Sequence, residues 1–251
     1  MPCPICSAQH DYHSCLHYAT ASQNLKDFLK ACWDEQARRP GGREWAKNPD
    51  HLYDVVYGPG EVGEGQDFWT DSFGNQFGIR ERIYLSVTPS GYDPVWEKFA
   101  LAQYESNKRD VRYGKRCNRS LVLARPDNIV VYVNGVGARD RLISDLRAMC
   151  REQPGMPGGR PPIPARFPRT YLRDAQVPAT TRVSDLRGVC YASDPGRSIS
   201  HGQQLCCCVA EAFQDAPNDF VTFLGHALGV LREQGINLAQ PSTPLVPRRT
   251  F

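Results

Sequence analysis

Long hydrophobic runs are missing from this sequence. Its apolar stretches fall far short of the roughly 20 residues that a membrane-spanning helix needs. The opening Met1-Pro2-Cys3-Pro4 carries neither the basic nor the apolar part of an export signal. The expectation is a cytoplasmic chain with no membrane partner. An excess of charge is missing as well. The 30 Lys and Arg against 27 Asp and Glu leave a net charge of +3, too little for a general attraction to nucleic acid. No internal repeat or low-complexity tract is evident, which excludes solenoid and tail-like architectures.

What is present is enough for a core: 251 residues, 41% of them hydrophobic, as one large domain or one domain with an appendage. The 10 cysteines would suggest bridges in a small secreted domain, but this chain is larger and shows no export signal. Three of them, Cys206-Cys207-Cys208, fall inside a helical pattern, as small apolar packing residues do. Reduced thiols are expected. At the start, Cys3-Pro4-Ile5-Cys6 is followed by His10, His13, Cys15 and His17, ligand types and spacings that zinc accepts. No second Cys-x-x-Cys pair completes a standard finger. A structural zinc on Cys3, Cys6, His10 and Cys15 therefore stands beside an ordinary N-terminal segment.

Two stretches alternate with the period of a half-buried strand. In Arg82-Ile83-Tyr84-Leu85-Ser86-Val87-Thr88 the odd positions are apolar and the even ones polar. In 128–134, Ile129, Val131 and Val133 share one side, with Tyr132 and Asn134 on the other. Between them runs a basic, strand-like Asp110-Val111-Arg112-Tyr113-Gly114-Lys115-Arg116-Cys117. The fold class expected is α+β: an antiparallel or mixed sheet with one open basic or polar face, and helices packed on the other. An open face of Arg, Tyr and Lys suits an anionic substrate.

Helical spacing marks residues 21–38, about 92–107, the stretch after Gly137 with Leu142, Ile143, Leu146 and Met149, and two C-terminal helices near 201–214 and 218–233. Residues 58–78, rich in Gly and aromatics, suggest a loop anchored by its rings. From Pro154 to Asp185 the chain is dense in Pro, Gly and Arg, so a long loop is expected. Gly135-Val136-Gly137 lacks the third glycine of a dinucleotide fingerprint and is rejected as one. The expected organisation is an N-terminal helical and loop segment over 1–78, a main domain over 79–243, and a disordered tail over 244–251.

Several segments together resemble the HopA-type family, named for a plant-pathogen type III effector, whose relatives serve as lyases in making lanthipeptides and thioamitides. They are Arg82-Ile-Tyr84-Leu-Ser-Val-Thr-Pro89; Lys115, 17 residues before Tyr132; Gly188-Val-Cys-Tyr-Ala-Ser-Asp194-Pro195; and Ser200-His-Gly202-Gln203 opening a helix. A fainter likeness reaches the phosphothreonine lyases of enteric effectors, whose catalytic lysine falls on Lys115 and whose strand tyrosine falls on Tyr132. Two positions depart. Tyr84 stands where those lyases have a general-acid histidine, and Gln204-Leu205 replaces the His-Arg pair usual in HopA-type proteins.

The resemblance implies a phosphoserine/phosphothreonine lyase that eliminates phosphate from a precursor peptide, with a separate kinase as partner and no catalytic cofactor. Lys115 would be the base and Tyr84 or Tyr132 the acid. Arg82, Arg187, Arg197 and Gln203 would bind phosphate. A HopA-like protein that binds a peptide or partner without catalysis, and an effector acting on host phosphoproteins, remain as alternatives. Each residue also has a plain role open to it: Lys115 as a solvated strand residue, the tyrosines as packing, the arginines as surface charge.

Overall fold

The computed structural model describes residues 21–57, 69–151, 166–177, 180–194, 201–214 and 219–239. In chain order the helices are α1 (Gln23–Arg38), α2 (Gly42–Ala46), α3 (Pro49–Tyr57), α4 (Tyr92–Val95), α5 (Ala102–Ser106), α6 (Val136–Cys150), α7 (His201–Gln214) and α8 (Phe220–Glu233). A π-helical stretch, Trp96–Leu101, joins α4 to α5. The strands are β1 (Trp69–Gly74), β2 (Glu81–Leu85), β3 (Val111–Cys117), β4 (Ile129–Val133), β5 (Thr181–Arg182) and β6 (Val189–Ser193). The chain forms two compact units. One compact unit joins Met1–Gly60 to Pro178–Thr181 and Arg197–Phe251, and the other comprises Glu61–Val177 with Arg182–Gly196.

The first unit is helical. Ser22 caps α1 by accepting a hydrogen bond from the Leu25 amide, and Leu25, Phe28, Leu29 and Cys32 form its buried stripe. α8 is capped in the same way by Asp219, which accepts from the Thr222 amide. At its far end Gly235 adopts φ 78°, and Ile236 donates back to the Leu231 carbonyl. Phe213 stacks on Phe223 at 4.4 Å, with Trp33 against both. Cys206 and Cys208 are buried in this core and Cys207 is exposed. The 7 cysteines among the described residues are all free thiols, and burial pushes those of Cys32 and Cys206 up.

The second unit is built on an open six-stranded antiparallel sheet in the order β1-β3-β4-β2-β6-β5, so the expected α+β architecture stands. Ile83 and Leu85 of β2 and Ile129, Val131 and Val133 of β4 share one core with Val95, Trp96 and Phe99, and with Leu142 and Leu146 of α6. Entry into β4 is fixed by Asn128, which is fully buried. Its Nδ2 donates to the Val122 and Val87 carbonyls and its Oδ1 accepts from the Val87 amide.

Two strands fall where loops were expected, β1 within residues 58–78 and the short β5 within the run from Pro154 to Asp185. Trp69–Gly74, inside the predicted aromatic loop, is the edge strand β1, paired to β3 alone. Its middle, Thr70-Asp71-Ser72, is polar and exposed, so no apolar alternation announces it. Val189–Ser193 is β6, paired to β2 along its whole length.

Candidate functional site

Side chains alternate across the sheet, so Arg82 and Tyr84 leave β2 opposite to Ile83 and Leu85. Val130 and Tyr132 leave β4 on that same polar face. The registers set two cross-strand rows. Tyr113, Tyr132, Arg82 and Ala192 face one another across β3, β4, β2 and β6. In the neighbouring row Ser72, Lys115, Val130, Tyr84 and Cys190 run across β1, β3, β4, β2 and β6.

Lys115 reaches this face through an irregularity. The β3–β4 register shifts between Val111 and Tyr113. Strict alternation from the buried Val111 would have sent Tyr113 and Lys115 into the helix-side core. The extra residue, Arg112, turns both to the polar face. It comes with an orphan: Nε of Arg112 is buried and has no hydrogen-bond partner among the described residues. Arg116 lies on the other side, its guanidinium over Tyr92 and Trp96 and bonded to Asp71 and Asp93.

The polar face is dry where β2 and β4 meet. Tyr84, Tyr132 and Arg82 are 5%, 6% and 7% exposed, while Lys115 is half-buried. Arg82 donates from Nε to Asp194 Oδ2 at 2.6 Å, and Nη2 lies 2.5 Å from the same oxygen. Its guanidinium also lies 5.0 Å from the Tyr132 ring. Burial alone would weaken the charge of Arg82. Tyr84, Tyr132 and Asp194 outweigh it and hold the guanidinium above its ordinary pKa. Burial pushes the Tyr132 phenol well above the tyrosine range, so it stays protonated. Nζ of Lys115 sits 3.9 Å from the Trp69 ring and 5.8 Å from that of Tyr132. Tyr113 packs on Tyr132 at 5.2 Å.

Of the candidate residues, Lys115, Tyr84, Tyr132 and Arg82 therefore lie together. Arg187 does not join them: it is exposed in the loop between β5 and β6, lining a separate cleft with Arg169 and Asp185. Gln203 is on α7, in the helical unit. Arg197 lies outside the described residues, as do Cys3, Cys6, His10 and Cys15. Among the described residues no group of His, Cys, Asp and Glu could hold a metal ion, and no helix is long and apolar enough to cross a membrane. Asp194 and Trp69 escaped sequence reasoning as site residues. The signal for Asp194 was its place at the end of the short run from Val189, which is β6.

No protein-family model and no curated protein matches the chain. Solved structures do. The effector protein from Pseudomonas syringae pv. tomato strain DC3000 is 16% identical with a TM-score of 0.52, over 89% of this chain and 82% of that one. The effector protein from Pseudomonas syringae pv. syringae strain 61 is 14% identical with a TM-score of 0.43, over 88% and 81%. The first likeness concerns the fold, and the second is too distant to add to it. The fold is thus similar to that of the first of these effector proteins.

Proposed function

We propose that the polar face eliminates phosphate from phosphoserine or phosphothreonine in a peptide substrate, leaving a dehydroamino acid. The observation that carries this reading is the row holding Lys115 and Tyr84 on either side of Val130. Two strand spacings, about 10 Å between backbones, separate the two. Arg82 and Tyr132 stand in the adjoining row.

In this reading the amine of Lys115 takes the Cα proton. The electrons of that bond form the Cα=Cβ double bond, and the Cβ–O bond breaks with its pair going to the phosphate oxygen. Tyr84 or Tyr132 donates the proton that the leaving phosphate accepts. Burial keeps Tyr132 protonated at rest, and the Arg82 guanidinium 5.0 Å from its ring favours the phenolate left after donation. Arg82 offers a fixed fork of donors for the dianion, exchanging Asp194 for the phosphate. The substrate is a precursor peptide phosphorylated by a separate kinase, and the product is of the kind found in lanthipeptides. No cofactor enters the step.

A second reading has its own observation. The charge of Arg82 is already matched by Asp194 within the sheet unit, as in a face that binds a peptide or host protein without turning it over. Mass measurement of a phosphothreonine peptide after incubation separates the two. The lyase removes the mass of one phosphoric acid per site, and Lys115→Ala does not. Saturable binding with no change of mass would leave the binding protein.

A further inference from the structure

The sheet unit carries a second concavity. It has a volume of about 520 Å³ and is lined by Arg169, Thr170, Leu172, Ser184, Asp185, Leu186 and Arg187, within the size range of small-molecule sites. Leu172 and Leu186 belong to the buried helix-side core and form an apolar floor. Thr170 and Ser184 bring hydroxyls. Two guanidinium groups, Arg169 and Arg187, stand at the rim, both exposed and neither bonded to an acid among the described residues.

The carboxylate in the cleft does not neutralise them. Asp185 is committed to α6. Nε of Arg147 donates to its two oxygens at 3.0 and 2.7 Å, Nη2 donates at 2.9 Å, and Arg151 lies 3.5 Å away. An adjoining pocket, sharing Ser184, adds Arg147 and Arg182 to the surroundings together with Asp140, and Arg182 is itself paired with Asp174. The local balance is cationic although the chain as a whole is nearly neutral.

We propose that this cleft binds a small organic phosphate, its anion gripped by Arg169 and Arg187 and its apolar body laid on Leu172 and Leu186. Arginine forks match phosphate oxygens in two-point contact, which a scattered surface charge does not. Neither Lys115 nor any other residue of the polar face lines the cleft, so the site is independent of the elimination reading.

Isothermal titration of the full chain with phenyl phosphate tests this, with phenol and inorganic phosphate as comparisons. Saturable binding of phenyl phosphate, tighter than either fragment, is expected. Arg169→Gln with Arg187→Gln should weaken it about tenfold or more, as loss of two charge-assisted hydrogen bonds does. Asp185→Asn, which frees Arg147, should tighten it. Unchanged affinity in the double variant, or inorganic phosphate binding as well as phenyl phosphate, would overturn the proposal. So would loss of binding in Lys115→Ala, which would put the anion on the polar face.

Discussion

On β2, Ile83 and Leu85 point to the helices and are fully buried, while Arg82 and Tyr84 point the other way and are nearly as dry. The first face is held by dispersion and the hydrophobic effect, each side chain contributing about 1.5–3 kcal/mol on burial. The second buries a guanidinium, a carboxylate and two phenols. The desolvation of such a pair about cancels its attraction, so apolar residues of similar volume would serve stability as well. The contrast teaches that one face accounts for the fold and the other needs a different reason, which the elimination proposed above would supply.

The contrast can be broken most sharply at the ion pair. Arg82→Leu takes the guanidinium away from the buried Asp194 carboxylate, with an expected loss of about 3–5 kcal/mol in urea unfolding. Arg82→Leu together with Asp194→Leu should return stability to within about 1 kcal/mol of the parent, because the pair contributes little net. Next in size is Gly114→Ala. A Cβ there would lie 2.2 Å from the Phe73 ring, which packs on Trp96 and Tyr104. The expected cost is about 1–3 kcal/mol, read by the same unfolding curve. On the apolar face, Ile83→Val should cost about 0.5–1.5 kcal/mol and leave phosphopeptide turnover intact.

The smallest effect lies at the exposed pair of Arg147 and Asp185. Hydrogen bonds from Arg147 hold the Asp185 carboxyl below its ordinary value. A depressed carboxyl adds stability above the unfolded pKa, and that stability is lost as pH falls through the folded one. With both side chains about a third exposed, the contribution stays under about 1 kcal/mol. Carbon-detected NMR titration should show Asp185 below the usual carboxylate range, and Arg147→Gln should bring it back up.

The legible parts of this fold are those whose signal is local. β2 and β4 announce themselves because each buries one face in helices, giving period-2 alternation in five residues. α1, α7 and α8 carry apolar stripes of their own. β1 stayed hidden because an edge strand needs only Phe73 and Trp69 to pack, and its partner β3 is some 40 residues away in sequence. The shift at Arg112 was hidden for a related reason: a bulge is defined by the opposing strand, here β4. The Arg82–Asp194 pair joins residues 112 apart, and no spacing rule reaches so far. Arg82, Tyr84 and Tyr132 came together because their strands were read correctly, and Lys115 joined them through the shift at Arg112. Arg187 went elsewhere because it leaves from a loop whose position only the fold decides.

Lys115→Met tests the central claim most directly, because it keeps length and apolar bulk while removing the amine. Thermal unfolding and phosphate release from a phosphothreonine peptide are measured on the same preparation. The account predicts a Tm equal to or above that of the parent chain, with release reduced by about 10²–10⁴-fold, as for loss of a general base. A lowered Tm with release unchanged would contradict it, making Lys115 part of the fold rather than of the chemistry.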